Sequence, residues 1–496
     1  MIKPDRPLGT RAGAARYALS SFALPLTLVA IGAAMSWVCY WGRDLHRFVQ
    51  WVAAYIGIFI IQLAMYSLAC HSVMRSRANR SRAASLSTLG VVIFFAVILR
   101  ATLAPQRPYL SSDIYRYIWD GRVQAAGINP YRYPPAAEEL SFLRDDKIYR
   151  NINPEDLAWP SPYPPAAQAV FFAAYSIRPS SFASFKFTMS LFDIITTLAL
   201  MLALARSGLE PARAIIFAWH PLPIYEGAHS GHIESAYIAF LALAVLAWTY
   251  RRHSLTGVTL ALATLVKFYP ALLLPVFLAA KPARSTQDSV KEGAARRGGL
   301  SRSWLLPRVR ALVSEANLRM LFAFIVTISL AYLPYIGAGT RVFGFLGLYI
   351  EGEGFIEKGT RYYLLTVARR LIPLPTVVFV IIAAVALVML GTWWMLRDKG
   401  DAADMARGAM SLIGLYLILT TPRYSWYYTW LIPYLCFVPR AGWLYLASAS
   451  ALLYLLWYTP LVYPDIPMWL GAVIYFPALG WLAWEGRRRE SIKAER

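Results

Sequence analysis

Charge is scarce in this chain. Of its 496 residues 15% are charged, where a soluble domain carries about a quarter. Acids are the scarcer sign, with 27 Asp and Glu against 49 Lys and Arg. The three cysteines, Cys39, Cys70 and Cys436, fall in or beside apolar runs with no metal-ligand spacing. They read as buried, inert thiols that say nothing of redox compartment. No G-x-G-x-x-G, Walker loop or G-x-S-x-G is present, which leaves a nucleotide-sugar enzyme or an ATP-driven pump without support. No repeat of 20–50 residues emerges, nor the paired broken helices that point to a transporter.

Apolar residues are what the chain has instead. They make up 58% of it, and mean hydropathy is +0.46. Runs long enough to cross a bilayer, roughly 20 residues, recur, as at 18–41, 48–70, 86–104 and 376–396, with a shorter run at 410–421. The pattern predicts an all-α polytopic membrane protein with about 12–14 transmembrane helices and a long external loop containing amphipathic helices. The formal charge of +22 lies between or after apolar runs, at Arg75–Arg82, Arg251–Arg252, residues 281–319 and Arg487–Arg489. Basic loops of this kind set topology and touch anionic lipid. Membrane lipids are thus expected partners and nucleic acid is not.

Positive-inside placement puts both termini in the cytoplasm and 105–182 outside. Basic residues precede the first run, as in a signal peptide, but its length predicts an uncleaved helix. The expected divisions are N-terminal transmembrane helices (1–104), an external catalytic loop with interfacial helices (105–182), a transmembrane core (183–280), a basic cytoplasmic loop (281–318), C-terminal transmembrane helices (319–486) and a cytoplasmic tail (487–496). The apolar run at 164–177 is too short to span and reads as an interfacial or re-entrant helix. The 255–280 segment must turn back on itself, with Lys267-Phe-Tyr-Pro270 as the turn.

Three clusters carry candidate chemistry. In the first, Ser111 or Ser112 can cap a helix that Gly127 and Pro130 end. Asp113, Arg116 or Tyr117, Asp120 and Gln124 then share one face. The helix either lies on the headgroups with its charges solvated or presents two carboxylates, cations and aromatics, Trp119 among them, to a substrate. Two proline-aromatic strings follow, Asn129–Pro135 and Trp159–Pro165, the latter with Tyr163. Each suits stacking on a sugar ring or an ordered loop alike. The second cluster groups His220, His229 and His232 with Glu226 and Glu234, where substrate contact, a metal site from His229, His232 and Glu234, and a structural hydrogen-bond network all fit. No zinc pattern matches, so a divalent metal is possible but unsupported, and no cofactor is expected with certainty. In the third, Lys267 and Arg423 suit a lipid-linked phosphate or snorkelling to the interface.

Asp113-Ile-Tyr-Arg-Tyr-Ile-Trp-Asp-Gly-Arg, followed by Gly127-Ile-Asn-Pro-Tyr131, resembles the first external loop of GT-C glycosyltransferases, in particular bacterial polyprenol-phosphate-mannose-dependent mannosyltransferases. Tyr163-Pro-Pro165, Gly231-His-Ile-Glu234, Lys267-Phe-Tyr-Pro270 and Ser425-Trp-Tyr-Tyr-Thr-Trp430 are similar to later landmarks in the same order. The likeness spans roughly 105–433 and leaves out the N-terminal helices; Glu234 stands where Asp is frequent. The resemblance implies a bacterial inner-membrane enzyme with its site facing the periplasm or exterior. It would move a sugar, by implication mannose, from a polyprenyl-phosphate donor to a lipid or glycan acceptor with inversion. Asp113 would be the general base. Asp120, Tyr117, Trp119 and Tyr163 would position the acceptor. Lys267, Arg423 and Arg116 would bind the donor phosphate, and His229, His232 and Glu234 would contact substrate. The rival reading, a transporter or flippase of a lipid-linked saccharide, needs a path to the cytoplasmic side, whereas the charges within spans cluster outward.

Overall fold

The computed structural model describes residues 11–43, 45, 51–76, 81–278, 310–343, 362–397, 400–458 and 465–494. The expected basic loop at 281–318 lies mostly outside them, as do Arg77 and Arg80. The described residues form helices and turns with no strand. This follows from the solvent, since in hydrocarbon every backbone N–H and C=O must be satisfied within its own segment.

Among the described residues seven helices are long and apolar enough to cross a membrane. The first three are α1 (Arg11–Gly42), α2 (Trp51–Arg75) and α3 (Arg82–Leu103), and the next is α6 (Phe182–Arg206). Between α3 and α6 lie α4 (Asp113–Ala125) and α5 (Pro165–Ile177). Two short buried helices follow, α7 (Glu234–Thr249) and α8 (His253–Thr264). Then come α9 (Glu315–Tyr332), α10 (Thr376–Leu396), α11 (Ala402–Thr420), α12 (Ala441–Ala449) and α13 (Met468–Ala494). The spanning stretch that begins with α9 runs to Phe343, and α10 and α11 complete the seven.

The apolar runs at 18–41, 86–104 and 376–396 thus fold as helices, and the described part of the run at 48–70 is helix from Trp51. The run at 410–421 is the end of a longer helix. Asp401 caps its start through the amide of Asp404 at 2.8 Å, and Arg407 pairs with Asp404, so charged residues enter α11 already satisfied. The expected short helix at 164–177 is α5. The 255–280 segment breaks as Pro270 requires: α8 stops at Thr264, and tight turns resume at Tyr269. The tail expected from 487 instead continues α13 as helix to Ala494.

The core is built around α7, which packs between α6 and α8, while α3 packs on both α1 and α6. A buried ion pair joins α3 to α6. Arg100 Nε donates to Asp193 Oδ2 at 2.8 Å and its Nη1 to the Ala218 carbonyl at 2.8 Å, both side chains being 1% exposed. Outward faces such as Val377, Ile381, Val385 and Val388 on α10 remain exposed, as suits a helix solvated by lipid.

Candidate active site

The helix α4 starts at Asp113, whose amide donates to Ser111 Oγ at 3.2 Å; the side chain of Ser112 makes no capping bond. Its end is set by Gly127, at φ +75°, a left-handed position that glycine takes without steric cost. The helix does not lie on the surface with solvated charges. Ile114 and Arg116 through Val123 are all buried. Gly121 lets α5 come so close that a Cβ there would sit 2.5 Å from the Phe171 carbonyl oxygen.

The charges of α4 are spent inside the loop. Arg116 Nε donates to Asp120 Oδ1 at 2.9 Å, and its other nitrogens to the carbonyls of Asp156 and Trp159. Asp120 also accepts from Ser161 Oγ and, at 3.1 Å, from Gln168 Nε2. Arg122 donates to Asp145 Oδ2 at 2.6 Å and to the Leu143 carbonyl at 2.8 Å. Arg122 and the amides of Ile148 and Tyr149 outweigh the upward push of burial and hold the Asp145 carboxyl below its usual value. Trp119 is buried against Tyr149. Asp120, Arg116 and Trp119 therefore hold the loop together. The proline-aromatic strings lie side by side, with Tyr131 OH donating to the Tyr163 carbonyl at 2.6 Å and the Ser161 amide to the Pro130 carbonyl at 3.3 Å. Of their two possible roles, Tyr131 takes that of the ordered loop, being 1% exposed.

Asp113 is different, its side chain 30% exposed. Tyr117 OH donates to its Oδ2 at 3.2 Å, and Tyr117 is in turn held edge-on by Tyr163 and stacked on Phe171. From the other side His232 Nε2 approaches to 4.0 Å. A carboxylate at a helix start is also favoured by the helix dipole.

His232 is oriented by Glu226, a residue that sequence reading placed only as a neighbour of the histidines. His232 Nδ1 lies 2.9 Å from Glu226 Oε2, and an ionised Glu226 accepts the Nδ1 proton there. Glu226 also accepts from Ser425 Oγ and from Tyr454 OH at 3.0 Å. Trp426 covers the imidazole with ring centroids 4.0 Å apart. Glu226 is carried by a π-helical segment, Ile224–Ser230, that closes just before His232, a form frequent at functional sites. It ends at Gly231, with φ +77°. There a Cβ would meet Ile114 Cδ1 at 2.8 Å and Lys186 Cγ at 3.1 Å. Gly231→Ala is expected to cost about 1–2 kcal/mol from the left-handed backbone alone and to push on the first turn of α4. A lowered unfolding midpoint together with weaker transfer checks it.

The remaining candidates separate. Lys267 pairs with Glu234 and lies 4.7 Å from the Tyr427 ring centroid. Arg423 is 5% exposed, with Nη2 3.8 Å from Asp465 Oδ1. The Ser425–Leu431 turn, which follows Arg423 in the chain, touches Glu226, His232 and Lys267 through Ser425, Trp426 and Tyr427. His229 packs edge-on to Tyr109 at 4.1 Å and is fully buried. His220 is likewise internal, bonded to the Leu222 amide and Ser448. The trio His229, His232 and Glu234 is not assembled: His232 goes to Glu226 and Glu234 to Lys267. Among the described residues no three His, Cys, Asp or Glu side chains are placed to hold a metal ion.

Asp156, partly buried beside this site, has its carboxyl pushed up to about 7 by burial, with Asp113, Glu155 and Asp120 adding repulsion and Arg116 opposing it. The folded chain thus keeps a proton that an unfolded aspartate releases near pH ~4. Stability contributed by this group falls as pH rises between about 4 and 7. Asp156→Asn is expected to raise the Tm clearly at pH 8 and less at pH 5, as thermal unfolding at the two values will read.

Neither a search of curated proteins nor one of solved structures returned a match. A family model, that of the MptA_B family, described as alpha-(1->6)-mannopyranosyltransferase, N-terminal domain, matches residues 8–283. The match covers more than half of the chain and takes in the first three helices, which the motif resemblance left out. This polytopic membrane protein therefore belongs to the alpha-(1->6)-mannopyranosyltransferase family and is a mannosyltransferase.

Proposed function

We propose that the chain transfers a mannosyl group from a polyprenyl-phosphate donor to the hydroxyl of a lipid or glycan acceptor by a single in-line displacement of GT-C type. The observation that carries this reading is Asp113, an accessible carboxylate at the start of α4 that faces His232, whereas Asp120 is paired with Arg116, Glu234 with Lys267, and Glu226 is bonded to His232, Ser425 and Tyr454. The acceptor oxygen attacks the anomeric carbon as Asp113 takes its proton. The bond from that carbon to the phosphate oxygen breaks, and the phosphate leaves with the electron pair. Tyr117 and, through it, Tyr163 orient Asp113; Glu226 orients His232 toward the same oxygen. Lys267 and Arg423 are assigned to the leaving phosphate, whose growing charge they would stabilise. Arg116, Asp120 and Trp119 are positioning residues that hold the loop, and His229 shapes the wall behind it.

The basic stretches at Arg75–Arg82 and Arg251–Arg252 support cytoplasmic termini and a site on the outer side of a bacterial inner membrane. A lipid-linked donor suits that face, where nucleotide sugars are absent.

Inversion that yields an α bond consumes a β-linked donor. Purified protein in proteoliposomes, given radiolabelled polyprenyl-phosphate mannose of each anomer and a membrane lipid extract, is expected to use the β anomer and to ignore the α. Equal use of both would sink the single-displacement mechanism. No transfer from either would turn attention to flipping of the lipid-linked sugar.

A further inference from the structure

A second polar site opens on the other flank of the loop. A cavity of about 340 Å³ lies where the start of the loop meets the elbow between α5 and α6, lined by Arg107, Lys147, Arg178, Ser180, Ser181 and Phe182 among others. Its lining contains three cations and no acid. Among the described residues none of the three is paired with a carboxylate; the nearby acids Asp145 and Asp146 are held by Arg122 and Arg150. The walls are firmly held. Lys147 donates to the Ser180 carbonyl at 2.7 Å and lies 5.4 Å from the Phe182 ring centroid. Phe182 packs edge-on against Tyr115 of α4, and Lys186, behind the cavity, donates to the Gln106 carbonyl.

Three unpaired cations around a polar hollow are complementary to a phosphate. The surroundings specify the rest of the ligand. Ile177, at the end of α5, is 72% exposed. Further along α6, whose first residues line the cavity, Phe187, Leu191, Leu198 and Leu202 are all exposed. Their spacing puts them in one stripe along the spanning helix α6. A headgroup phosphate in the cavity would have its acyl chains along that stripe. We infer that Arg107, Lys147 and Arg178 form a binding site for an anionic membrane phospholipid, its headgroup phosphate in the cavity and its chains on α6. The inference stands apart from the transfer reaction, since none of these residues takes part in it.

The test uses full-length protein in phosphatidylcholine nanodiscs doped with phosphatidylglycerol, with bound lipid measured by native mass spectrometry. The wild type is expected to retain phosphatidylglycerol over phosphatidylcholine. The triple variant Arg107→Gln, Lys147→Gln, Arg178→Gln, whose substitutions are all at exposed positions, is expected to lose that preference by about tenfold with an unchanged unfolding midpoint. Asp113→Asn is expected to retain the lipid as the wild type does. Equal retention by the triple variant and the wild type, or no preference in the wild type, overturns the site. Loss of the lipid in Asp113→Asn overturns it too, since the lipid would then sit at the transfer site. Inorganic phosphate at millimolar concentration is the remaining arm. Failure to displace the lipid supports a lipid ligand, whereas full displacement makes free phosphate the ligand and overturns the lipid assignment.

Discussion

Asp113→Asn is expected to lower mannosyl transfer about a thousandfold, within the range of roughly 10²–10⁴ that a positioned general base supplies. The substitution keeps the size of the side chain and its place beside Tyr117, so the loss should fall on turnover while donor binding and the unfolding midpoint stay close to wild type. His232→Gln provides the comparison. It removes the imidazole that faces Asp113 Oδ2 at 4.0 Å but leaves the carboxylate, and so is expected to lower turnover less and to change the shape of the pH–rate profile. Turnover that survives in Asp113→Asn would refute the assignment of the base. Asp120 would be a poor replacement, because Arg116, Ser161 and Gln168 already occupy its oxygens.

The second large effect is on stability. Arg100→Met leaves Asp193 charged, 1% exposed and without its cation, and also strips the Ala218 carbonyl of a donor. Breaking a buried pair in this way costs about 3–5 kcal/mol. A chain of this kind holds only about 5–15 kcal/mol in total, so Arg100→Met is expected to show a much lower unfolding midpoint in detergent and poor recovery from membranes. Adding Asp193→Asn removes the orphaned charge. The double variant is therefore expected to be more stable than Arg100→Met alone, and a double variant no better than the single would show that the pair is not the cause.

Legibility in the sequence followed the range of the interactions. Helix α4 could be read because its signals are local: serines before Asp113, a glycine at 127, and the four-residue step from Arg116 to Asp120 that becomes an ion pair. The break at Lys267–Pro270 and the short α5 were legible for the same reason. Burial of α4 was not, because alternating charge and aromatic residues look alike whether the charges meet water or partners in a folded loop. Glu226 is the clearest omission. Its significance comes from Ser425 and Tyr454, 199 and 228 positions away, and no spacing rule reaches so far. Arg100 and Asp193 were hidden similarly, each a lone charge in an apolar stretch, 93 positions apart. The grouping of three histidines within 13 residues suggested a shared purpose, yet the chain turns His220 and His229 into the core and His232 alone toward Asp113.

The family match ends at residue 283, while Ser425, Trp426 and Tyr427 reach back to clasp Glu226, His232 and Lys267. The groups around Asp113, His232 and Lys267 thus come from two stretches of the chain, the first inside the family match and the second beyond it. Asp113 and Tyr117 lie in the first stretch, and the rings of Trp426 and Tyr427 that cover the imidazole and the lysine lie in the second. A change within 425–427 is therefore expected to act on His232 and Lys267 while leaving the contact between Asp113 and Tyr117 in place.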